Sequence, residues 1–99
     1  MGVDCTLSVF KDDMCVRQYE VGRWYVFAPV FEEEERYDAS TALAYVNTRQ
    51  ENLSADLAYL RGFPEYRERL AFYAARLQDA REIILALSPG EEIEFITSH

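Results

Sequence analysis

The stretch Phe31-Glu32-Glu33-Glu34-Glu35-Arg36-Tyr37-Asp38 sets four consecutive glutamates between an aromatic-rich run and the start of a helical pattern. A second acidic group, Glu91, Glu92 and Glu94, alternates with apolar residues near the C-terminus. Carboxylates this concentrated can do three kinds of chemistry. A pair at fixed separation can act as acid and base in glycoside-type hydrolysis. Alternate ligands along a loop can hold calcium. A dense array can imitate nucleic-acid phosphates, which present one charge per ~1.7 Å of duplex axis.

A chain of 99 residues leaves little room for a deep cleft, and neither the Glu run nor Asp12-Asp13 has the alternate-ligand spacing of a calcium loop. The pattern therefore favours the third use, with Glu32, Glu33, Glu34, Glu35, Asp38, Glu91, Glu92 and Glu94 as candidate partner-binding residues. The competing account is a solvated lead-in to a helix. Exposed charges about 4 Å apart repel by only ~1 kcal/mol in water, and acids ahead of a helix favour its dipole.

Other chemistries lack their residues. The one histidine is His99, the last residue, which excludes a His-centred dyad or triad. Cys5 and Cys15 are too far apart for a C-x-x-C site, and two such cysteines are expected to stay unpaired. The glycines stand singly, so no phosphate loop is present. One Lys and nine Arg form no basic stripe. The expectation is a non-enzyme with no catalytic, cofactor-binding or metal-ligating residue, no cofactor and no direct contact with nucleic acid. No basic segment with an apolar run opens the chain, and no stretch approaches the ~20 apolar residues that span a bilayer. A cytoplasmic protein without membrane contact is expected.

These residues must be positioned by elements legible from periodicity. Residues 3–10 alternate, with Val3, Cys5, Leu7 and Val9 on one face, as in a half-buried strand. Lys11-Asp12-Asp13 makes a polar turn, and a second alternating run leads to Gly22-Arg23, a Gly-first pair suited to a hairpin. Residues 24–31 are apolar on both faces, which predicts a central third strand ending at Pro29. From Asp38 the period lengthens. Ala39, Leu43, Val46, Gln50, Leu53, Leu57 and Leu60 form one helical stripe behind Asp38 or Ser40 as N-cap. Arg61-Gly62-Phe63-Pro64 punctuates a reversal. A second stripe runs through Tyr66, Leu70, Tyr73, Leu77, Ala80, Ile84 and Leu87, each helix being roughly 35 Å long. Residues 91–97 alternate again as a last strand. The fold class is α+β, in β-β-β-α-α-β order: a three-stranded antiparallel meander over 1–31, a long antiparallel helical hairpin over 38–87, and a C-terminal strand over 91–97, all in one domain.

The formal charge of −8 is unevenly placed. Residues 39–89 hold six acids and six bases; the excess lies wholly outside the hairpin, on strands, turns and the strand-to-helix connection. Tyr45 and Tyr59 stand off their helix stripe and are candidate contact residues. If the last strand lies near the third, the two acidic groups form one surface.

The opening Met1-Gly2-Val3-Asp4 with Thr6-Leu7 resembles the start of some small phage-carried proteins. The profile of short length, acidity, α+β order and missing catalytic set is similar to that of phage-encoded anti-CRISPR proteins and other DNA-mimic inhibitors. The resemblance implies a protein that blocks a nucleic-acid-binding or nuclease-recruiting surface of a CRISPR effector complex, one-to-one or as a homodimer, without a cofactor, in the bacterial host cell. Its partner would be the basic surface of a nucleic-acid-handling protein. The alternative is an oligomeric assembly protein that uses the hairpin as its interface.

Overall fold

Alternation in β1 (Asp4–Lys11) turns Cys5, Leu7 and Val9 into the core. In the computed structural model, which describes residues 4–28 and 30–98, this strand lies inside the sheet. Val3, Pro29 and His99, expected on a strand face, at a strand end and at the terminus, lie outside the described residues. Asp12 and Asp13 close a tight turn, with Asp12 in the left-handed region (φ 56) that a short polar side chain tolerates. β2 (Met14–Arg23) then returns antiparallel to β1.

Gly22 does not make the expected hairpin turn. It sits within β2 opposite Cys5, where the register slips by one residue, at φ 105. The glycine serves this bulge: a Cβ there would meet Arg76 Cδ at 2.9 Å.

Residues 24–31 also depart from expectation. None of the described residues among them is in a strand. Trp24–Val26 is a single 3₁₀ turn, followed by tight turns in which the Phe27 and Ala28 amides both donate to the Trp24 carbonyl at 2.9 Å. The interior place in the sheet belongs instead to the C-terminal strand, which runs between β1 and a short strand, β3 (Arg36–Asp38). With no ladder to join, the two-sided apolar run becomes a plug. Val26, Phe27 and Phe31 are buried, and the Phe27 and Phe31 rings lie 4.8 Å and 4.6 Å from that of Phe95. The order of elements is still β-β-β-α-α-β, but the third strand is β3, and the three-stranded meander over 1–31 is a two-stranded hairpin plus this plug.

Asp38 ends β3 and caps α1 (Ala39–Asp56), accepting the Thr41 amide at 2.8 Å. The α1 stripe buries Ala42, Val46, Arg49 and Leu53. The helix stops at Asp56 rather than continuing to Leu60; Leu57 is buried at its C-terminal cap, and Ala58–Leu60 tightens into 3₁₀ geometry. α2 (Glu65–Leu85) buries Tyr73, Leu77, Ala80 and Ile84. At ~27 and ~32 Å the helices are shorter than expected. Side-chain pairs Asn47 with Arg81, Gln50 with Gln78 and Ser54 with Tyr66 fix their antiparallel register.

β4 (Glu91–Ser98) pairs with β1 through Leu7 opposite Phe95 and Val9 opposite Ile93, and with β3 through Tyr37 opposite Ile93. The result is an α+β fold: four antiparallel strands in the order β2-β1-β4-β3, with the inward residues Cys5, Leu7, Val9, Val21, Tyr37, Ile93 and Phe95 in one core with both helices. Cys5 is buried, Cys15 exposed, and both are free thiols. Burial, with the charge of Glu33 adding, pushes the Cys5 thiol up to about 12. Among the described residues, no helix is long and apolar enough to cross a membrane.

Gln50 interrupts the α1 stripe, but the buried polar member is its neighbour Arg49. Its Nε donates to the Val26 carbonyl at 3.0 Å, its Nη1 pairs with Asp56, and its guanidinium lies 5.6 Å from the Tyr73 ring centroid. Arg49→Ala strands a buried carbonyl and leaves a hole, so a loss of about 2–3 kcal/mol is expected by urea unfolding. Asp56→Asn, at a half-exposed partner, should cost under about 1 kcal/mol. Equal losses would show that the ion pair, not the carbonyl clamp, is the important contact.

Candidate functional site: an acidic edge of the sheet

The glutamate run is pinned at both ends and in its middle. Phe31 and Tyr37 are buried on either side of it, their rings packed edge to face at 5.1 Å. The Glu32 amide donates to the Tyr37 hydroxyl at 2.8 Å, and the Glu34 amide donates to the Phe95 carbonyl at 2.9 Å. Glu33 forms a parallel bridge to Phe95. Glu34 is held at φ 62, a left-handed conformation that costs a residue with a side chain about 1–2 kcal/mol. The loop is therefore a fixed extension of the sheet beyond β3, with all four glutamates exposed.

Their carboxylates differ in use. Glu33 turns back to accept from the hydroxyl and the amide of Thr97. Glu32 and Glu35 lie side by side and share a hydrogen bond, which with their mutual repulsion raises the Glu35 pKa above the ordinary carboxylate value. Glu34 has no ion-pair partner among the described residues.

The other expected residues divide similarly. Pairing of β3 with β4 sets Asp38 opposite Glu92 and Arg36 opposite Glu94, so the two acidic groups do reach one edge. Asp38 is engaged as the helix cap, and its hydrogen bond from the Thr41 amide holds its pKa low. Glu94 lies 3.4 Å from Arg36, whose guanidinium also sits 3.9 Å over the Phe10 ring and 3.6 Å from Asp13. Glu91 departs from the expected surface. It is 6% exposed and accepts from Arg17 at 2.8 Å and from the Ser88 amide at 2.7 Å. It points inward because it shares the face of Ile93 and Phe95 in β4, and a carboxylate on that face needs a cation and an amide to be buried.

One residue was not singled out from sequence. Arg36 is the base that ties the outer sheet face together, and through it Asp12 and Asp13 of the hairpin turn join the same acidic end. The signal available was a lone base inside an acid run. Tyr45 proves to be a support for the loop, its ring 5.6 Å from both Phe31 and Tyr37, whereas Tyr59 is 69% exposed. Among the described residues, no group of three or more His, Cys, Asp or Glu is placed to hold a metal ion.

No protein-family model matches the chain, and neither a curated protein nor a solved structure matches it.

Arg17 and the Ser88 amide hold the Glu91 pKa below its ordinary value of 4.5. Folding thus lowers this pKa, so the stability it confers is fully present above about pH 4.5 and is lost as pH falls through the folded value. Glu91→Gln should lower the thermal midpoint at about pH 7 and reduce the further drop between about pH 5 and about pH 3. A parallel pH profile in the variant would exclude Glu91 as the titrating group.

Proposed function

We propose that the protein is a non-catalytic binding protein whose acidic edge engages a basic, nucleic-acid-handling surface on another protein. The observation that carries this reading is the pinning of residues 32–35. The Glu32 amide is held by the Tyr37 hydroxyl and the Glu34 amide by the Phe95 carbonyl, so Glu32, Glu34 and Glu35 stand exposed on an anchored loop between the buried Phe31 and Tyr37. A preformed charge array avoids much of the ordering cost of association. It also raises the encounter rate with a surface of opposite sign.

Lysines and arginines arranged for phosphates present closely spaced positive charge that carboxylates at similar density can satisfy. Glu92 and the Asp12-Asp13 turn extend the array, while Asp38, Glu91 and Glu94 hold the scaffold that presents it. The partner class that the chain's profile implies is a CRISPR effector complex, blocked where it binds nucleic acid or recruits a nuclease. No cofactor is needed for such a role.

The test is capture from bacterial lysate with immobilised wild-type chain beside a Glu32→Gln/Glu34→Gln/Glu35→Gln variant, with and without competing duplex DNA. Nucleic-acid-handling proteins should be retained at about 0.1 M salt, released by DNA or by about 0.5 M salt, and bound at least tenfold more weakly by the variant, ~1.4 kcal/mol. The variant's thermal midpoint should stay within a few degrees of wild type. Identical capture by both proteins, or capture indifferent to DNA, would remove the acidic edge from the interface.

A further inference from the structure

α2 has a flank that neither the core nor α1 covers and that β2 covers only in part, leaving the Arg76 side chain 36% exposed. Its core stripe faces the sheet, and Gln78 and Arg81 bond to α1 on one side. About 90° from the core stripe, on the side away from α1, Glu65, Arg69, Phe72 and Arg76 follow one another at spacings of four, three and four, a single line along the helix.

This line lies beside β2. A Cβ on Gly22 would lie 3.9 Å from Phe72 Cζ and close to Arg76 Cδ. Tyr25, 38% exposed, packs 5.4 Å from the Tyr73 ring and joins Glu65, Glu68, Arg69 and Phe72 around one shallow depression. Phe72 is itself 39% exposed. Glu65 and Glu68 have no ion-pair partner among the described residues.

We propose that this flank is the contact between two copies of the chain, related by a two-fold axis that crosses α2 midway between Arg69 and Phe72. The axis sets the two α2 helices antiparallel. Arg69 then faces Phe72 of the second copy, and Glu65 faces Arg76 of the second copy, each contact occurring twice. Within its own chain Arg76 pairs with Asp79 at 3.1 Å and lies 5.9 Å from the Phe72 ring centroid. In the dimer Glu65 of the second copy joins Asp79 around this guanidinium, a register in which the acid of the line meets a base and its other base meets a ring.

Charge selects a second copy as the occupant. The chain carries −8 overall, yet residues 39–89 balance, so identical molecules meet at the hairpin without the repulsion that their acidic regions impose. Exposed Tyr, Phe and Arg are also the residue types enriched at protein contacts. Because β3 is at the opposite edge of the sheet from β2, the two acidic edges would point away from the contact and stay free. One helix flank is a small interface, so a micromolar rather than nanomolar dimer is expected.

Sedimentation equilibrium of the full chain, from about 1 to about 200 µM, reads this directly. The mass should rise from 11.5 kDa toward twice that value. Phe72→Ala should weaken the dimer at least tenfold, Glu65→Arg similarly, and Glu65→Arg/Arg76→Glu should recover it to within about threefold, since the swap restores the pairing. Circular dichroism identifies any variant that fails to fold; should the double swap be one, Phe72→Ala and Glu65→Arg decide alone. A wild-type chain that stays monomeric throughout overturns the proposal. So does a dimer indifferent to both single substitutions.

Discussion

The arrangement depends on a buried cation. Arg49 lies 4% exposed in the layer between the sheet-side plug and the helices, where an unpaired charge would cost several kcal/mol. It is retained because three groups meet it: the Val26 carbonyl, the Asp56 carboxylate and the Tyr73 ring. These belong respectively to the plug, the end of α1 and α2. One side chain thus ties the irregular segment to both helices, and that segment carries Phe27 and Phe31 onto Phe95. The position of Phe31 in turn determines where the glutamate loop begins.

The acidic residues are easier to understand in two groups than as one surface. Asp38 caps a helix, Glu91 is buried against Arg17, Glu94 meets Arg36 and Glu33 bonds Thr97. Each of these offsets the self-repulsion of a −8 chain with a local partner. Glu32, Glu34 and Glu35 have no ion-pair partner among the described residues and stand exposed on a loop anchored through the Glu32 and Glu34 amides. Acidity alone therefore does not make a binding face here. What distinguishes the exposed glutamates is that the fold spends several contacts on placing them and none on neutralising them.

The two ends of the sheet also differ in kind. At one end β3 is three residues long and flanked by carboxylates, so further strand pairing is discouraged by length and charge. At the other, β2 is ten residues long but is twisted by two register shifts and lies beside the balanced flank of α2. Strand order therefore separates the acidic edge from the neutral one across the width of the sheet.

Periodicity by itself determined much of this molecule. The alternation of residues 4–11, the 3.6-residue stripes around Val46 and Leu77, the Asp38 cap and the Asp12-Asp13 turn are local patterns, and each appears where its spacing placed it. What only the tertiary structure decided was competition for places in the sheet. Residues 24–31 had the composition of an interior strand, and residues 91–98 the alternation of a strand with one buried face. β4 took that place because its one-sided alternation matches β1 residue for residue, whereas a run apolar on both faces buries more as a plug beneath the helices. The same choice recruited residues 36–38 as a strand and aligned the two acidic groups along one edge. Glu91 shares the parity of Ile93 and Phe95, so alternation alone sets it on the core face; only the tertiary structure brings Arg17 and the Ser88 amide to meet it there, because both are supplied by segments distant from it in sequence or bent back by a turn.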